Sequence, residues 1–264
     1  MPDPIHNALP LYQSRSHVHA EPAKEWFGPR HRRIVTTAAV LMLVGIIALK
    51  IASPRWYAIL LTREDSLGEY LTAILYLGAA VLAAQIALIH RRLDHRLLGG
   101  AYIVLTLGLA FIALEEISWG QRLFAIETPA ALVAHNQQGE ITVHNLTFFP
   151  LHTAYILVGL YGSLAALLIP DGLQRRHREI VRAVVPDRSL FLFFFTVAAL
   201  YLYYDYLSVP LVALFGDSIA WRGRGHFMDS EDQEAAELML ACGFLLFVAI
   251  NRMRLSGVLP RRLP

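Results

Sequence analysis

The chain has little charge: Asp, Glu, Lys and Arg make up 17% of its 264 residues, against 56% hydrophobic, at a mean hydropathy of +0.46. That balance excludes an ordinary soluble domain and places most of the chain in lipid. Cysteine is nearly absent. The single Cys242 lies within an apolar run, so neither a disulfide framework nor a cysteine-built metal knuckle is available. The sequence also lacks a phosphate-binding Gly-rich loop, a Gly-x-Ser-x-Gly elbow, a dinucleotide fingerprint and a His-Glu-x-x-His helix. Nucleotide chemistry and familiar serine hydrolysis are therefore unsupported.

What is present is a series of six apolar runs, at about 34–53, 66–89, 99–118, 149–169, 189–215 and 235–250. Each approaches or exceeds the length of about 20 residues that lets an α-helix cross hydrocarbon with its backbone groups paired. The fifth is long enough to tilt, or to bend at Pro210. The predicted fold is all-α: a polytopic membrane protein with an N-terminal arm (1–33), a six-helix transmembrane domain (34–250) and a basic tail (251–264). The first run begins late and ends in Ala-Ser-Pro-Arg without a small-residue cleavage pattern, which predicts a retained helix.

Charge asymmetry sets the expected orientation. Seventeen of the 23 Lys and Arg fall on one side, in the arm, the loops after runs 2 and 4, and the tail. Such residues resist translocation, so both termini are predicted to be cytoplasmic, in a plasma (bacterial inner) membrane. Their distribution is topogenic, which argues against a nucleic-acid partner. Acidic residues show the reverse bias, with 14 of 21 on the other side. Asp and Glu contribute little to topology, so that second bias needs another cause.

The outer side also carries the longest predicted loop, 119–148. Within it Thr128 suits an N-cap, Pro129 the first helical position and Asn136 the stop, which predicts a short interfacial helix. At the entries to runs 2 and 6, Ser66 with Glu69 and Ser230 with Gln233 have capping-box spacing, so capping competes with function for Glu64, Asp65, Glu69, Glu231 and Asp232. Glu234 and Glu237, three residues apart on one face, are less readily explained by capping.

Glu115 and Glu116 close the third run, at a helix C-terminus where the dipole disfavours negative charge. They sit in the distinctive stretch Glu-Glu-Ile-Ser-Trp-Gly-Gln-Arg, in which helical spacing would align Glu115, Trp119 and Arg122. An internal Glu–Arg122 pair is the structural reading; a catalytic acid or base is the functional one. Asp205 lies among Tyr201, Tyr203, Tyr204 and Tyr206, as a tyrosine-satisfied carboxylate, a hydrogen-bond anchor or a proton carrier. His144, Asn145 and His152 open the fourth run, and His226 precedes the sixth.

Ionisable groups within membrane helices are costly and default to a functional site. The leading candidates for acid, base or ligand are Glu115, Glu116, His144 and His152, with Arg122 holding an anionic group; Trp119, Gln121, Asn136, Asn145 and Asp205 are candidate substrate contacts. A divalent metal on Glu69, Glu234, Glu237 and His226 is a further option, weakened by the lack of Glu-x-x-His or His-x-x-x-His. The expected function is an enzyme acting on a membrane lipid or lipid-linked substrate at the outer face. The alternatives are a proton- or cation-coupled transporter, and a non-catalytic subunit or assembly factor with a protein partner or a second copy of itself. The transporter reading is discouraged because the cytoplasmic halves of runs 2, 3 and 6 offer little polar beyond Gln85, Tyr102 and Thr106.

Overall fold

The computed structural model describes residues 27–63, 65–129, 141–142, 150–170, 176–215 and 232–256. Among them there is no strand, and six helical segments are long and apolar enough to span a membrane, as in a multi-pass membrane protein. The predicted interfacial helix falls largely outside the described residues.

Helix α1 (Pro29–Ala52) takes in the last five residues of the predicted arm, with Pro29 at its first position, where a missing N–H costs nothing. A short turn of helix (Pro54–Tyr57) and a wide π-turn (Ala58–Thr62) lead into α2 (Leu67–Arg92). The capping box is real there: the Ser66 hydroxyl accepts from the Glu69 N–H at 3.2 Å, and the Glu69 carboxylate reaches back to the Asp65 N–H at 2.7 Å. Helix α2 ends in Arg91-Arg92, cations placed on the negative end of its dipole.

Helix α3 (Arg96–Glu116) runs back and terminates on its two glutamates. The expected continuous face from Glu115 through Trp119 to Arg122 does not form. Ser118, Trp119 and Gly120 all adopt left-handed backbone, with φ of 48°, 56° and 76°, and the chain turns away. Two of these are not glycine, a local strain of about 1–3 kcal/mol each.

Helices α4 (Leu151–Leu168), α5 (Phe191–Leu202) and α6 (Gln233–Ser256) complete the bundle. The irregularity of the fifth span is not at Pro210 itself. It is a π-turn at Tyr203–Leu207, after which Ser208–Phe215 resumes α-helix. A proline ring clashes with the carbonyl four residues earlier, here that of Tyr206, so the widened turn absorbs the clash upstream. It also sets Asp205 on the loosened segment.

Helix α6 lies between α2 and α5; α3 packs on α2, α4 packs on α5, and α1 leans on α5 and α6. The spans containing α2 and α5, and α6 itself, are each about half buried, the others far less. Small residues permit this closeness. Ala79, Ala83 and Ala241 are fully buried, and a Cβ added at Gly162 would fall 2.1 Å from the Phe194 ring of α5.

Candidate functional site

The end of the bundle where α3 finishes and α6 begins gathers the acidic residues singled out above. Glu116 from α3 meets Glu234 and Glu237 from the first turns of α6, with one carboxylate oxygen from each lying within 4.8 Å of the others. Glu116 and Glu237 are buried, Glu234 half-buried. Gln233 donates to Glu237 at 2.9 Å. At such a separation, with an effective dielectric constant of about 20, two carboxylate charges repel by about 3.5 kcal/mol. Three ionised together carry about 10 kcal/mol of mutual repulsion. The cluster therefore draws in protons, a cation or both.

Beside it, and one helical turn before Tyr76 on α2, are hydroxyls that have found no partner. Thr72 and Tyr76 of α2 are completely buried and Tyr201 of α5 is 3% exposed, yet Thr72 Oγ1 and the two tyrosine hydroxyls have no hydrogen bond. Glu69, Thr72 and Tyr76 share one face of α2 by their spacing. Tyr76 lies within electrostatic reach of Glu116 and Glu237, and Tyr201 within reach of those two, Glu234 and Asp205. A buried hydroxyl left unbonded costs about 1–3 kcal/mol, so three in one place call for an explanation.

Tyr201 links the cluster to a second polar pair. His152 at the start of α4 bonds through Nδ1 to Asp205, at 2.9 and 3.1 Å to its two oxygens. The His152 ring lies 4.4 Å from the Tyr201 ring, centroid to centroid, and Tyr155 stacks on Tyr201 at 5.2 Å. Asp205 is thus held by a histidine, where the sequence suggested a tyrosine partner. The pair spans α4 and the π-turn after α5, and the cluster spans α3 and α6, so one site draws on four segments.

The remaining candidates divide. The Trp119 indole N–H donates to Glu115, which is 4% exposed, so the left-handed corner serves to fold this side chain back on its helix. Gln121 donates to Thr128 and accepts from the Ile141 N–H at 2.7 Å, which makes it a clasp for the loop. Glu69 stays with its cap, within electrostatic reach of Glu116 but outside the three-carboxylate group. Asp232, read from sequence as a helix-start charge, instead accepts from buried Lys50 at 2.7 Å and from Tyr57 at 2.6 Å. The Arg122 side chain and residues Asn136, His144, Asn145 and His226 lie outside what is described, as do Glu64, Ser230 and Glu231.

Sequence reasoning missed Thr72, Tyr76 and Tyr155, which read as ordinary members of apolar runs, and saw Tyr201 only as a neighbour of Asp205. The spacing from Glu69 through Thr72 to Tyr76 was the available signal. Lys50 could also have been found, as one of few cations on the acidic side.

The opposite, basic end is built differently. Asp187 accepts from Arg32 at 3.1 Å and pairs with Arg254 at 3.7 Å. Arg254 donates to Asn251, Asn251 to the Tyr102 hydroxyl, and Tyr102 to the Ala183 carbonyl at 2.6 Å. Asn251 is buried and was also overlooked in the sequence. Next to this network an apolar cavity of about 390 Å³ lies between α3 and α4, backed by Phe194, Phe244 and Phe247.

Comparison with known proteins finds no matching family model, no similar curated protein and no similar solved structure.

Proposed function

We propose that this chain is a membrane-embedded enzyme that acts on a lipid or lipid-linked substrate at its acidic end, by acid–base or metal-assisted chemistry. The observation that carries the reading is the meeting of Glu116, Glu234 and Glu237 within 4.8 Å, buried or half-buried at the end of the bundle. Structural proteins avoid such clustering, because removing the charges would relieve repulsion at once. Retaining them is the mark of a site that trades stability for chemistry.

The roles follow from placement. The carboxylates supply a base, an acid or ligands. Asp205 holds Nδ1 of His152, which leaves Nε2 to exchange a proton with a substrate. His152 is 42% exposed at the membrane-boundary end of α4, within reach of a headgroup. Carrying an ion across the bundle would need a polar route, whereas Ala79, Ala83, Val197, Met239 and Val248 fill its middle with fully buried apolar groups. That contrast favours the enzyme over the transporter. The charge asymmetry supports a periplasmic acidic end in an inner membrane, with both termini cytoplasmic.

The test is turnover of fluorescent phospholipids and polyprenyl-linked substrates by purified protein. Glu116→Gln and Glu237→Gln should each lower it by about 10³-fold or more while the protein remains inserted and monodisperse. Unaltered turnover in both variants would sink the reading.

A further inference from the structure

The unbonded hydroxyls deepen that reading, on which the following inference rests. Thr72, Tyr76 and Tyr201 come from helices α2 and α5, while the carboxylates come from α3 and α6. Each of these three hydroxyls is at least nine-tenths buried, in electrostatic range of the acids for the two tyrosines, and bonded to nothing. A proton shared among the carboxylates would not satisfy them, because it leaves the gap between hydroxyl and acid unfilled. Something with its own hydrogen-bonding shell would. A hydrated cation has positive charge for the acids and outward-facing waters for the hydroxyls.

The dimensions agree. Opposite ligands around an oxygen-coordinated ion stand about twice the metal–oxygen distance apart, about 4.6–5.2 Å for calcium and about 4.0–4.2 Å for magnesium. The carboxylate oxygens span no more than 4.8 Å. Separations within that bound admit either ion. All three donors are carboxylate oxygens, with no histidine or cysteine among the described ligands, which selects hard cations over zinc or copper.

We propose that Glu116, Glu234 and Glu237 bind one hard divalent cation, of the magnesium, manganese or calcium class, through an aqua shell anchored by the hydroxyls of Thr72, Tyr76 and Tyr201. The ion would make the site a place to dock and polarise the phosphate of a lipid or lipid-linked substrate, since such ions are commonly held by a few carboxylates plus substrate oxygens.

Manganese(II) is the probe, titrated into the full-length detergent-solubilised protein and followed by the loss of its free-ion electron paramagnetic resonance signal. One saturable site per chain is expected, displaced by calcium or magnesium. Glu116→Gln and Glu237→Gln should weaken it by more than about 100-fold. Tyr76→Phe, which keeps the shape of the core, should weaken it by about 10-fold, as loss of an outer-shell partner does. Asp65→Asn, an exposed acid outside the cluster, should leave it unchanged. No saturable binding up to millimolar manganese, or equal binding by wild type and Glu116→Gln, would overturn the proposal. Lipid turnover separates this inference from the reading beneath it. Full turnover by chelator-treated protein would remove the metal and leave acid–base catalysis. Metal lost from the variants with turnover intact would remove the carboxylates from the chemistry and leave the ion site.

Discussion

At the basic end Asp187 draws Arg32 and Arg254 together, and Arg254, Asn251, Tyr102 and the Ala183 carbonyl follow in an unbroken chain of bonds. At the acidic end Glu116, Glu234 and Glu237 crowd one another while Thr72, Tyr76 and Tyr201 leave their hydroxyls unbonded. One set of buried polar groups is used up in joining α1, α3, α6 and the 176–190 connector. In the other, the hydroxyls of Thr72, Tyr76 and Tyr201 keep capacity in reserve. Nearly the same kinds of side chain therefore do different work, and satisfaction, more than polarity, separates structure from function. His90 is the exception at the basic end: its Nδ1 is unbonded, although its ring stacks on Tyr102 at 5.8 Å.

The comparison breaks or sharpens under substitution. The largest effect is expected on turnover, where Glu116→Gln should cost about 10³-fold and Asp187→Asn less than about threefold, read on the same lipid substrate. Next comes stability. Lys50→Met removes the cation from Asp232 and leaves that carboxylate in the bundle, at a cost of about 3 kcal/mol in detergent unfolding. This marks the limit of the acidic end's reserve, since the Lys50–Asp232–Tyr57 group belongs to the satisfied kind. Smaller and more telling is a pair of isosteric changes. Tyr102→Phe deletes a bonded hydroxyl and removes one of the partners of Asn251, and should cost about 1–2 kcal/mol; Tyr76→Phe deletes an unbonded one and should be neutral or slightly stabilising. The smallest, Glu69→Gln, should lower stability by about 0.5 kcal/mol through the weakened cap.

Much of the fold was legible because the signals are strong and independent. Apolar length located six spans, but their ends less well: the first helix begins five residues earlier than read, the sixth ends six later, the second is prefaced by helical turns at Pro54–Thr62, and the fifth apolar span is Glu179–Leu207. The capping box at Ser66 and Glu69 was readable from four residues. The corner after Glu116 was not, because Ser and Trp in left-handed backbone contradict local preference and are held there by tertiary contacts such as the Trp119–Glu115 bond. The site was legible in its charges and illegible in its pairings. Glu116, Glu234, Glu237, His152 and Asp205 stood out as ionisable groups in apolar runs. That Glu116 joins the α6 pair, and that His152 chooses Asp205, depends on which helices are neighbours, which no spacing along the chain reveals.

On this reading the acidic cluster is kept at the expense of stability. Equilibrium unfolding of detergent-solubilised Glu237→Gln and Asp187→Asn, followed with the native protein in metal-free buffer, tests it without knowledge of the substrate. The expected result is that Glu237→Gln is as stable as the native chain or more so by about 1–2 kcal/mol, through relief of repulsion, while Asp187→Asn is less stable by about 2–3 kcal/mol. An equal loss in both would contradict the claim and make the carboxylates part of a structural network like that of the opposite end.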